Sequence, residues 1–166
     1  MGVKDIIIKE KLEDSGIFSF DEVYSYAYTW FKDEGFGLVE EKYNEKVSGN
    51  TREIKFDWVA SKGLSDYFKE EIKISVEVEG LTDVEVEIDG KKKKSNKGKI
   101  KFDIKGTLIS DPNSKWDSTP MYTFMRDIYS KYIIAGRTGA MEGKVQGDVV
   151  DFKENMKVFL DLIGQR

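Results

Sequence analysis

The chain has 166 residues, 39% of them hydrophobic and 35% charged, with a formal charge of −4 and neither cysteine nor histidine. That length suits a single domain over 1–166 with enough apolar content to bury a core. The missing residue types exclude disulfides, thiolate or imidazole catalysis and zinc-type sites, and the acidic balance gives no global attraction for nucleic acid or anionic lipid.

Met1 to Lys9 contains an apolar run of only three residues, Ile6 to Ile8, too short for a signal peptide. Ile6 stands where a myristoylation pattern needs Ser or Thr. No stretch approaches the roughly 20 apolar residues that cross a bilayer. The expectation is a cytoplasmic protein without membrane contact.

Asp5 to Glu13 reads as a first strand with Ile6, Ile8 and Leu12 on one face. Ser19 is placed as the N-cap of a helix, with Glu22 three residues on as a capping box and Phe18 and Val23 as a hydrophobic staple. The apolar stripe is Phe20, Val23, Tyr24, Ala27, Trp30 and Phe31, and Gly35 is set to end the helix in a left-handed conformation.

Strands follow. Phe36 to Val47 and Thr51 to Ser61 are joined by Ser48-Gly49-Asn50. Tyr67 to Glu79 alternates, with Ile72, Ile74, Val76 and Val78 on one face, and Gly80 to Asp83 is read as a turn into the next hairpin. That hairpin joins Val84–Ile88 to Ile100–Ile104 through a lysine-crowded tip. Pairing Ile88 with Ile100 sets Val86 against Phe102, Val84 against Ile104, Glu87 against Lys101 and Glu85 against Asp103.

Thr119 and Pro120 are well suited to start a second helix, with Met121, Phe124, Met125, Ile128 and Tyr132 as its stripe. Gly136, Gly139, Gly143 and Gly147 then predict a flexible connection, since each glycine costs up to about 1 kcal/mol in a helix. An alternative aligns Gly139, Gly143 and Gly147 on one helical face that lets another backbone approach, as in a homodimer built on the C-terminal helix. A last helix is expected from about Asp148 to Ile163. The fold class is therefore α+β, an antiparallel sheet of five to six strands with one face covered by about three helices.

The strongest local charge anomaly is the set Lys91, Lys92, Lys93, Lys94, Lys97 and Lys99. It offers phosphate contact to a polyanion, yet it lacks the aromatics that stack bases and the arginine that reads them. A solvated hairpin end is the plainer account. Tyr24, Trp30, Phe56, Trp58 and Phe102 are the candidates to line an apolar ligand site, and the same spacing also fits a simple core. Gly136 to Lys144 fails the phosphate-loop pattern, because Val145 follows Lys144 where Ser or Thr is needed. No carboxylate pair stands out in a desolvated setting. The expectation is a non-enzymatic binding or interaction module, with no cofactor or metal and with a protein or nucleic-acid partner at the lysine tip. The alternative is a carrier of an apolar small ligand.

Two resemblances bear on this. Asp83 to Gly98, with Trp116, Pro120, Phe124 and Tyr129 to Ile133, resembles a set of small archaeal proteins, which implies a cytoplasmic archaeal setting and no particular activity. The order strand, helix, antiparallel strands, C-terminal helix is similar to the START-like helix-grip fold. That likeness implies an apolar ligand beneath the helices.

Overall fold

The computed structural model of the chain describes residues 3–110 and 135–164. The elements are β1 (Val3–Phe18), α1 (Phe20–Asp33), β2 (Gly37–Ser48), β3 (Thr51–Gly63), β4 (Phe68–Ile88), β5 (Lys91–Ser110) and α2 (Ala135–Gly164). The strands form one antiparallel sheet in the order β1-β5-β4-β3-β2. Alternation turns one face apolar. Phe56, Val76 and Phe102 lie side by side across three strands, flanked by Trp58, Ile74 and Ile104 on one side and by Ile54, Val78 and Ile100 on the other. All nine are buried. Burying each such side chain contributes about 1.5–3 kcal/mol, which fixes which face the helices cover.

α1 starts and stops as its sequence predicts. The Ser19 side chain accepts from the Glu22 amide at 3.4 Å. The Glu22 carboxylate, however, turns away to Lys93 at 3.0 Å, and Asn96 Oδ1 of β5 accepts from the Phe20 amide at 3.0 Å. Phe18 and Val23 are both buried, as a staple requires. At the other end Gly35 has φ 87°, and Phe36 N donates to Phe31 O at 2.9 Å. Lys62 Nζ of β3 donates to Glu34 O at 2.8 Å, placing a cation on the negative end of the helix dipole.

The lysine-bearing hairpin corrects the expected register. Ile88 faces Lys91 and not Ile100, which faces Val78. The turn is the two-residue Asp89-Gly90, with φ 52° and 79°, and such a pair closes tight hairpins whose twist matches the strands. Gly80 to Asp83 is no turn. The register shifts between Glu79 and Thr82, and β4 continues as one 21-residue strand. Two expected strands therefore merge, and the sheet has five. Glu85 meets Lys94 and Glu87 meets Lys92, so the like-charge pair of Glu85 with Asp103 never forms.

β1 also departs from its simple reading. A bulge between Ile6 and Ile8 changes the phase, leaving Ile6 exposed while Leu12 is buried. The helix expected from Thr119 lies outside the described residues, which contain two helices.

α2 begins at Ala135 and not near Asp148, so Gly139, Gly143 and Gly147 are helical. Packing overrides propensity here. Val145, Val149, Phe152, Met156, Leu160 and Ile163 fall on one stripe and are all buried, with α2 lying mainly over β1 and β5. Lys153 Nζ reaches Glu10 of β1 at 2.9 Å. Tyr26 of α1 stacks on Phe159 of α2 at 4.2 Å between centroids, joining the two helices.

A Cβ at Gly139, Gly143 or Gly147 would meet nothing within 4 Å. Gly143→Ala is therefore expected to stabilise the chain by about 0.5–1 kcal/mol in chemical denaturation. A loss of stability that grows with protein concentration would instead show a partner backbone on this face.

Candidate functional site

The described clefts and buried polar groups define three regions. The first is an open cleft of ≈ 520 Å³ between α1 and β2, lined by Phe20, Asp21, Tyr24, Ser25, Glu40 and Tyr43. α1 presents Phe20 and Tyr24 one turn apart, and β2 presents Glu40 and Tyr43 across a bulge between Glu40 and Lys42. Phe56 and Trp58 of β3 are buried behind the lining rings: Tyr24 meets them edge-on at 5.3 and 5.0 Å, and Tyr43 stacks on Phe56 at 6.0 Å.

Glu40 anchors this cleft. Its Oε1 accepts from the Tyr24 hydroxyl at 3.0 Å and from Trp58 Nε1 at 3.2 Å. Partial burial, then the hydrogen bond and charge of Glu40, push the Tyr24 hydroxyl up to about 12. It therefore stays a donor at every physiological pH. Burial and the charges of Glu45, Glu40 and Asp21 also raise Tyr43, against the opposing pull of Arg52.

Of the apolar-ligand candidates, Tyr24, Phe56 and Trp58 come together here. Trp30 and Phe102 do not. They pack against Phe152 of α2, at 5.2 and 6.3 Å between centroids, Phe102 inside the core and Trp30 partly buried against it. Sequence reasoning misses Glu40, Asp21 and the cleft role of Tyr43. Tyr43 falls off the apolar stripe, and only the crossing of α1 over the sheet brings Glu40 beneath Tyr24.

The second region is the lysine hairpin. Its six candidate lysines are not gathered on one surface. Lys92 and Lys94 are paired across the strands with Glu87 and Glu85. Lys93 holds Glu22 at 3.0 Å, and Lys99 reaches Glu13 at 4.0 Å. Lys91 is exposed beside the turn, opposite Ile88. Lys97 and Lys99 line an open notch with Ser15, Gly16, Gly80, Thr82 and Gly98, where β4 bulges. The carboxylates interleaved with these lysines cancel much of the field a polyanion would need.

The third region is closed. Glu70 of β4 is fully buried, and neither of its carboxyl oxygens accepts a hydrogen bond. Asp148 of α2, itself buried, takes Lys144 Nζ at 2.8 and 2.9 Å. Burial foremost, then the Asp148 carboxyl and its charge, push Glu70 up to about 8, with Lys144 and Lys62 pulling the other way. Burial thus favours the protonated form of Glu70 near neutral pH. The Asp148 contact likewise raises Lys144, against its partial burial.

Alternation predicts the inward direction of Glu70, which shares its face with Phe68 and Ile72. Its desolvation becomes visible only once α2 lies over it. Fully buried, this acid lies between β4 and α2. Among the described residues, no group of three or more carboxylates gathers to hold a metal ion, and no helix is long and apolar enough to cross a membrane.

Among the described residues, the order of strand, helix, antiparallel strands and long closing helix is helix-grip-like. No family model and no curated protein matches the chain. Among solved structures it is similar to norcoclaurine synthase from Thalictrum flavum, determined in complex with dopamine and hydroxybenzaldehyde. The identity is 14% over 90% of this chain and 88% of that one, with a TM-score of 0.22.

Proposed function

We propose that the chain is a small-molecule binding domain, without catalytic chemistry of its own, whose ligand seats in the cleft between α1 and β2. One observation carries this: a carboxylate, Glu40, is fixed by two ring-borne donors within an open cleft of aromatic side chains. Apolar walls with a few placed polar groups suit recognition of a compact ligand. The reading keeps the small-ligand carrier expected from the sequence and moves its site. Beneath α2, Phe31 and Phe152 already pack at 4.7 Å between centroids, and both are fully buried. Polyanion contact at the lysine hairpin is the weaker proposal, because Glu22, Glu85 and Glu87 stand among its lysines.

Benzyl alcohol, a neutral aromatic, serves as the probe. Its titration is expected to shift the Trp58 indole N–H and the Tyr24 ring resonances saturably. Tyr43→Ala, which removes an exposed wall, should weaken that binding several-fold. Shifts centred on Phe102 and Phe152 would return the site to the space beneath α2, and no saturable shift would refute ligand binding in the cleft.

A further inference from the structure

The geometry points to an organic ammonium, a cationic nitrogen on an apolar or aromatic body, as the ligand class of the α1–β2 cleft, an inference that rests on the cleft being the binding site. Two carboxylates, Asp21 and Glu40, and three rings, Phe20, Tyr24 and Tyr43, line the cleft, and among the described residues no lysine or arginine does. Tyr24 and Tyr43 meet at 80° with centroids 6.4 Å apart, so they form a corner and not a closed stack. Ring faces carry the negative end of the aromatic quadrupole and attract cations placed over them.

The carboxylate adds a full charge. Both hydrogen bonds it accepts within the chain fall on Oε1, and an ionised carboxylate has further lone pairs to offer. Its two donors are neutral, so they orient the charge without cancelling it. Two cations on the flanking elements have partners of their own. Arg52 is held by Glu45 at 3.3 Å and by Asp83 at 3.0 Å, and Lys32 lies over the Tyr28 ring at 5.6 Å. An anionic ligand would meet two like charges here, and a neutral one would gain no charge attraction from them.

Benzylamine, protonated at neutral pH, and benzyl alcohol have nearly the same shape and separate the charge from the ring. The full chain should bind benzylamine about tenfold more tightly, as expected for a partly exposed charged hydrogen bond. The ratio should fall toward one in Glu40→Gln, and it should narrow for the unmodified chain in high salt, a readout that needs no variant. Equal affinities, or a preference that survives both Glu40→Gln and high salt, would overturn the ammonium assignment while leaving the cleft as the site. Binding of neither compound would overturn the cleft itself, and the assignment with it.

Discussion

Glu70→Gln is expected to make the chain more stable than its parent at pH 8 and to remove a pH dependence that the parent carries. The sign follows from the raised pKa. Glu70 titrates near 4.5 when unfolded and near 8 when folded, chiefly because burial disfavours its charge. Between those values the folded chain holds a proton that the unfolded chain has released. Stability is therefore fully present below about pH 4.5 and declines as pH rises through 8, at up to about 1.4 kcal/mol per pH unit. The accumulated loss is on the order of 5 kcal/mol, an upper figure for a group facing both Asp148 and Lys144. Glutamine keeps the shape and a donor for Asp148 and never ionises. The measurement is urea denaturation of both proteins from pH 5 to 9. Parallel stability curves would show that Glu70 does not hold its proton.

Gly106→Ala carries the second large effect. A Cβ at this position would lie 2.8 Å from Val145 Cγ1 and from Val149 Cγ2, and 3.1 Å from Ile8 Cγ2. Both valines are fully buried and, being β-branched in a helix, have no second comfortable rotamer to turn into. Relief must come from lifting α2 off β5, at about 1–3 kcal/mol. Thermal unfolding should occur at lower temperature. Adding Val145→Ala should return part of the loss, a coupling expected only of residues in contact. An unchanged midpoint for Gly106→Ala would mean that α2 is not seated here. Gly106 thus does for the closing helix what no larger residue could: it lets the helix come down close to the sheet.

The ends of α1 and the apolar alternation were legible because they are local. Ser19, Phe18, Val23 and Gly35 act within one turn of their own positions, and Ile72 to Val78 needs only period two to declare its face. The hairpin register was not legible in the same way. Two pairings keep an apolar face, and choosing between them takes the Asp89-Gly90 turn together with the bulge near Gly80, which shifts the phase within β4. The glycines of α2 misled for the opposite reason: their cost is local and real, but burial of Val145, Val149 and Phe152 outweighs it. Of the site, the rings Tyr24, Phe56 and Trp58 were readable as an apolar set, whereas Trp30 and Phe102 share their spacing and lie elsewhere. The cleft carboxylates were not readable, because Glu40 looks like any strand glutamate until α1 crosses above it.

The sequence by itself determined an α+β chain without thiol or imidazole chemistry. It also determined the capped first helix and the face of each central strand, since composition and short-range periodicity need no partner. Tertiary structure decided where the lysines point, which aromatics meet, how far the last helix extends and which acid loses its water. Each of those depends on residues far apart in the chain arriving side by side. Burial, charge pairing and close approach exist only between neighbours in space.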